Sequence, residues 1–292
     1  MIDFHVHVYP PEIIQNSELI SKSEPYFNAL THNKVHRWAT VDELLSAMTE
    51  NGVERSVIFG FAFQDLELCR ICNDYVISAV KNYPERLSGF CVVPPSVHAS
   101  AHASTRGFEA EIIRCAEQGL IGVGELFPEG QGFDITDKRE TQSLAGILEE
   151  LGMPLLLHTA EPVGHDYVGK GNIGPKEAAV FCSNNPELKV IFAHLGGGLW
   201  LYDLMPEMKE ILANAYYDLA ALPWLYKPEI LTAIKGAGLI EKFLFGSDFP
   251  ILNPQRYKKI FTDSVASRLS AADIEAITRR NARKVLKLFS QK

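Results

Sequence analysis

Eight short apolar runs, each set apart from the next by a longer stretch, constrain this chain more than any other feature. They are 2–8 (IDFHVHV), 55–61 (RSVIFGF), 88–93 (SGFCVV), 120–125 (LIGVGE), 154–158 (PLLLH), 190–194 (VIFAH), 215–219 (AYYDL) and 243–248 (FLFGSD). Many are continuously apolar rather than alternating, as expected of strands covered on both faces.

Helical patterns fill the intervals. Thr40 and Glu43 form a potential capping box ahead of Leu44, Leu45 and Met48, with Gly52 marking the end. Further helices are predicted over 66–81, over 108–118 up to Gly119, over 140–151 up to Gly152, and over 175–183 from Pro175. The last, about 270–289, places Ile274, Ile277, Val285 and Leu288 near one stripe that would seal the barrel. Asn281 and Arg283 on it read as capping and packing groups. Strand–helix alternation implies right-handed parallel crossovers, and eight units favour closure because a closed sheet has no exposed edge. The expected fold is therefore α/β, a (β/α)8 TIM barrel with a C-terminal helix and an active site at the carboxyl ends of its strands. A barrel needs about 250 residues, so the 292 residues fit one domain, 1–292. Two connections, 9–39 and 159–174, read as irregular, are long for their place and are predicted to wall a site.

Composition narrows the partners. With 47% apolar and 22% charged residues the chain is that of an ordinary globular enzyme. A net charge of -8 offers no general attraction to nucleic acid or anionic membranes, so a small-molecule substrate is expected. Cys69, Cys72, Cys91, Cys115 and Cys182 are odd in number and scattered, which is no disulfide framework, and the lone CxxC reads as packing. Neither a signal sequence nor a bilayer-length apolar run is evident, so a cytoplasmic location is expected. The segment Leu199-Trp200-Leu201-Tyr202 reads as core or as the interface of a homodimer.

The chemistry-bearing residues gather at strand ends. In Asp3-Phe4-His5-Val6-His7, period-two geometry puts both imidazoles on one face and Phe4, Val6 and Val8 on the other. Asp3 either orients a ligand or closes the barrel bottom. The runs 155–157, 190–193 and 244–247 end in His158, His194 and Asp248. Unpartnered polar groups at a barrel rim are costly, and a shared divalent cation offsets that cost. Imidazole and carboxylate suit zinc, although manganese or another divalent ion is also open. Glu125, ending Gly122-Val123-Gly124-Glu125, either contacts a metal or accepts a ligand histidine's second N–H. Thus His5, His7, Glu125, His158, His194 and Asp248 form the expected ligand set for one or two ions.

The motifs DFHVH, LLLH, IFAHLGG and LFGSDFP, in this order along nearly the whole chain, resemble the amidohydrolase superfamily. Within it the chain is similar to the amidohydrolase-related group that includes aminocarboxymuconate-semialdehyde decarboxylase. The resemblance implies a (β/α)8 barrel in which His5 and His7 take the first-strand pair, His158 and His194 the fifth- and sixth-strand histidines, and Asp248 the eighth-strand aspartate. Glu125 departs from the decarboxylases and resembles the TatD-like hydrolases, where a glutamate there contacts a two-metal centre. The carboxylated lysine of other two-metal members is absent from GVGEL.

Around these ligands, Glu161 and His165 are candidate proton shuttles or pins for the loop, beside Asp166 and Tyr167. Lys170 is a candidate anchor for a substrate carboxylate. Gly196-Gly197-Gly198 permits either a tight turn or close approach to a ligand. His32, His36, His98 and His102 lack the strand-end context and read as surface groups. The leading reading is hydrolysis of a small amide, lactone or ester, with activated water as nucleophile, Asp248 as base and His194 among the catalytic ligands. Metal-dependent non-oxidative decarboxylation of an unsaturated or aromatic acid is the alternative. A non-catalytic metal-binding scaffold is the third reading and predicts a saturated metal without an open pocket.

Overall fold

The computed structural model describes residues 1–95, 107–252 and 268–290, so His98 and His102 lie outside the described residues. The eight apolar runs become β1 (Ile2–His7), β2 (Arg55–Phe59), β3 (Leu87–Gly89), β4 (Val123–Leu126), β5 (Leu155–Leu157), β6 (Val190–Phe192), β7 (Ala215–Asp218) and β8 (Phe243–Leu244). Every pairing is parallel, in the orders β1-β2-β3 and β4-β5-β6-β7-β8. Backbone bonds join the two groups at both seams. Cys91 N donates to Gly122 O (2.9 Å) and Gly124 N to Cys91 O (2.8 Å), linking β3 to β4. Phe4 N donates to Phe245 O and His7 N to Phe249 O (both 2.8 Å), linking β8 back to β1. The ring is the expected (β/α)8 barrel.

Most strands are shorter than their apolar runs. His158, His194 and Asp248 fall just beyond β5, β6 and β8, where the backbone leaves the ladder. That departure lets a side chain swing inward at the rim. Within β1, Phe4 and Val6 are wholly buried, as is His5, and His7 at the strand's end is partly exposed.

Helices cover the outer face much as the pattern predicts: Val41–Asn51, Leu66–Asn82, Gly107–Glu117, Lys138–Leu151 and Pro175–Asn184. The first carries the full Thr40/Glu43 capping box and ends on Gly52 at φ 66°. Segment 9–39 is a correction. It is not irregular but holds the short helices Pro11–Gln15, Ser17–Ile20 and Pro25–Thr31, two of which start on proline. Segment 159–174 is irregular, as expected. At the chain's end, Ala271–Ser290 is helical with a π turn at Ala276–Arg280. That turn releases the Ile277 carbonyl to accept from Phe245 N (3.0 Å), beside β8. Asn281 Nδ2 donates to Ile240 O (2.7 Å) and Phe243 O (2.8 Å), which docks the helix under the barrel.

Asp3 bonds backbone groups at the seam between β1 and the chain beyond β8. Its Oδ1 accepts from Ser247 N (2.9 Å) and His5 N (3.4 Å), so one buried carboxylate ties β1 to the chain beyond β8. All five cysteines are buried and unbridged, and the CxxC pair packs within the helix Leu66–Asn82. No helix among the described residues is long and apolar enough to cross a membrane.

The triple glycine serves the turn after β6. His194 through Gly198 all take positive φ (56, 58, 63, 56 and 92°). A Cβ on Gly197 would lie 2.3 Å from Ala160 O, a backbone atom that cannot easily retreat. Gly197→Ala is therefore expected to cost about 3 kcal/mol or more, from positive-φ strain plus overpacking. Gly152→Ala, at φ 65° with open space around it, should cost about 1–2 kcal/mol. Denaturant unfolding of the two variants checks the order; equal losses would show that the contact with Ala160 is unimportant.

Candidate metal centre

The six ligand candidates converge inside the barrel mouth. His5 Nε2 and His7 Nε2 face each other at 3.3 Å. Glu125 Oε2 lies 3.3 Å from His5 Nε2 and 3.4 Å from His7 Nε2. Its other oxygen, Oε1, lies 2.9 Å from His158 Nδ1 and 3.5 Å from His194 Nε2. Asp248 Oδ1 completes the first group, 3.6 Å from His5 Nε2 and 3.5 Å from His7 Nε2. Glu125 is thus shared between two potential metal-holding groups, His5/His7/Glu125 and Glu125/His158/His194.

Local backbone explains how these side chains reach one place. Glu125 follows Gly124, whose φ of 123° and 2.2 Å virtual Cβ contact with Leu156 O leave room for glycine alone. His194 (φ 56°) and Asp248 (φ 65°) both adopt the left-handed conformation that non-glycine residues avoid. Strain of that kind concentrates at functional sites, where surrounding structure holds it in place. Rings close the walls: Phe59 stands edge-on to His5 and His7 (centroids 5.2 and 4.7 Å), and Phe127 lies 4.3 Å from His158.

Charge in the centre is finely opposed. Burial alone would raise Glu125, but His5, His158 and His194 hold it well below the ordinary carboxylate range. Burial would lower His5, yet Glu125 and Asp218 push it well above its usual value. His194 is likewise depressed by burial and raised on balance to about 9, chiefly by Glu125. Burial would raise Asp248, and His7, His5 and His194 keep it low. Without a cation, protonated imidazoles must therefore neutralise the carboxylates. A divalent cation does the same with nitrogen and oxygen ligands and needs no buried proton; the donor set fits one.

The sign of the pH effect follows. A raised histidine must shed its proton to bind a cation, so affinity should rise with pH up to His194's value of about 9. In the chelated protein the same shift stabilises the fold below the ordinary value of 6.5, and that contribution is lost as pH rises through about 9. Titration calorimetry in buffers of different ionisation enthalpy reads the released protons, and proton-free uptake at neutral pH would contradict the assignment.

The loop candidates fare differently. His165 is exposed, its ring 6.1 Å from that of Tyr167, and it does not join the convergent groups. Glu161 turns to Tyr226, whose hydroxyl is pushed up by burial and by this carboxylate, while Glu161 Oε1 is buried without a hydrogen-bond partner. Lys170 Nζ points to Val163 O (3.2 Å) and Asp166 (3.5 Å), so it is spent within its own loop. The Lys170 carbonyl instead accepts from His158 Nε2 (3.0 Å), which leaves His158 Nδ1 to face Glu125. His36 is a further correction: it packs on Trp38 and Tyr9 (centroids 4.3 and 5.7 Å) with Nε2 buried. Leu199 and Trp200 are buried whereas Leu201 and Tyr202 are exposed, so that segment is core at one end only.

One residue escaped the sequence reading. Asp218, fully buried at the end of β7, accepts from His5 Nδ1 (2.8 Å), His194 N (3.0 Å) and Ala220 N (2.9 Å). A signal existed: Asp218 ends an apolar strand just as His158, His194 and Asp248 follow theirs.

Residues 2–288 match the family described as Amidohydrolase. Among solved structures, the chain is similar to a dihydroxybenzoic acid decarboxylase from Polaromonas with bound manganese and the inhibitor 2-nitroresorcinol (19% identity over 98% of this chain and 96% of that one, TM-score 0.69). It is also similar to 5-carboxyvanillate decarboxylase from Sphingomonas paucimobilis (16%, 98% of each chain, 0.74). A third is a candidate 2-pyrone-4,6-dicarboxylic acid hydrolase from Pseudomonas putida (16%, 99% and 98%, 0.68). At such identities these likenesses establish the fold.

Proposed function

The chain belongs to the amidohydrolase family, whose enzymes are metal-dependent, and on that premise we propose that it is a hydrolase using two divalent cations, zinc first among them, on a small amide, lactone or ester. The position of Glu125 carries this reading. A carboxylate with one oxygen turned to His5 and His7 and the other to His158 and His194 suits two cations better than one. His5, His7 and Asp248 would hold one, His158 and His194 the other, and Glu125 would join them, as the TatD-like resemblance implied.

When bound, such cations lower the pKa of water and draw electrons from a substrate carbonyl. Asp248, at the rim beyond β8, takes the attacking water's proton and passes it to the leaving group. Phe59 packs on His5 and His7 and Phe127 on His158, apolar walls that lower the dielectric around the charges inside. Lys170, engaged within its loop, offers no phosphate anchor, which favours a small uncharged group over nucleic acid.

Decarboxylation of an aromatic acid is the second reading, because similar structures include a dihydroxybenzoic acid decarboxylase and 5-carboxyvanillate decarboxylase. Incubating zinc- or manganese-loaded protein with panels of amides, lactones, esters and aromatic acids separates the two. Hydrolytic product without CO₂ supports the proposal. CO₂ release with no hydrolysis overturns it.

A further inference from the structure

We infer that Asp218 sets the tautomer of His5 and the backbone of His194 together, making one buried carboxylate the positioning residue for both halves of the centre. This rests on the two-cation reading but makes a separate claim, about where a proton resides.

The bonding leaves little choice. Asp218 Oδ2 is 2.8 Å from His5 Nδ1, and a carboxylate can only accept, so the hydrogen sits on Nδ1. His5 Nε2, facing His7 and Glu125, is thereby left to offer its lone pair to a cation. The second oxygen, Oδ1, accepts from both His194 N and Ala220 N. The first bond fixes His194 in its left-handed conformation at φ 56°. The second holds Ala220, whose carbonyl lies 3.2 Å from His194 Nδ1 and so directs His194 Nε2 toward Glu125. Partners that orient a ligating imidazole commonly matter about 10–100-fold in metal affinity. Here one carboxylate orients a histidine from each group.

This arrangement makes the most conservative substitution a damaging one. In Asp218→Asn the amide oxygen must face the two backbone N–H donors, since an NH₂ group there would oppose both. The NH₂ then faces His5 Nδ1, which can only accept from it. The ring proton is forced onto Nε2, where a cation should bind. Asp218→Ala imposes no tautomer, and a water can take up the Nδ1 hydrogen. If Asp218 only packed or braced the fold, Asn would be the milder change.

The test compares wild type, Asp218→Asn and Asp218→Ala by competition for zinc against a chromophoric chelator, with ring ¹⁵N spectra of the metal-free proteins at a pH high enough for the His5 ring to be neutral. Expected are an Nδ1-bound proton on His5 in wild type, a proton on Nε2 and not Nδ1 in the Asn variant, and zinc affinity at least about 10–100-fold weaker for Asn, at or below that of Ala. An Asn variant that binds zinc better than Ala, or retains the Nδ1 proton, overturns the inference. A wild-type His5 lacking that proton overturns it even if neither variant folds. Wild-type protein that takes up no cation sinks the hydrolase reading instead, and the spectra still decide this one.

Discussion

Glu125→Gln is expected to release one of two cations and lower turnover by about 10²–10³-fold, the several kcal/mol that a cation contributes to a developing oxyanion. The argument is geometric. Glu125 presents Oε2 to His5 and His7 and Oε1 to His158 and His194. Glutamine has one oxygen, and its NH₂ cannot ligate, so one histidine pair loses its shared ligand. The charge argument points the same way. In the metal-free protein Glu125 holds His194 up at about 9 against burial, so the variant's His194 should titrate lower. Metal analysis of the desalted protein and a histidine titration of the chelated one read the two effects separately. Unaltered stoichiometry would move Glu125 from ligand to orienting partner of His158 and remove the main support for two cations.

Asp248→Asn should keep the fold and most of the metal while lowering kcat by about 10²–10⁴-fold, the range for a lost general base. Asparagine is the informative choice because Asp248 sits at φ 65°, a conformation asparagine tolerates well. Alanine would add about 1–2 kcal/mol of backbone strain and blur loss of chemistry with loss of structure. An amide keeps one oxygen for the position of Oδ1, 3.5 Å from His7 Nε2, but cannot take a proton from water. Undiminished kcat in a folded, metal-loaded Asn variant would take the base role away from Asp248.

Much of this centre was legible beforehand, and the reason is locality. A strand's period of two decides that His5 and His7 share a face, whatever the rest of the chain does. An apolar run that stops at His158, His194 or Asp248 marks a rim position, because the run itself dictates a buried strand. Glu161 and His165 carried no such register. They lie in a glycine-rich loop, and the direction of a loop side chain depends on dihedrals that no periodicity constrains. His36 was misplaced for a related reason: a polar neighbourhood in sequence says nothing about Tyr9 and Trp38 packing on the ring.

By itself, then, the order of residues determined the alternating strands and helices, the barrel they close and the kinds of atoms at its mouth. These follow from hydrophobic spacing and strand geometry, which act within a few residues. Only the tertiary structure decided that Glu125 stands between two histidine pairs, that His158 offers Nδ1 because Lys170 O occupies Nε2, and that Asp218 reaches His5 and His194 at once. Those are contacts between distant strands, set by how the ring closes and which hydrogen bonds each buried polar atom finds once water is gone.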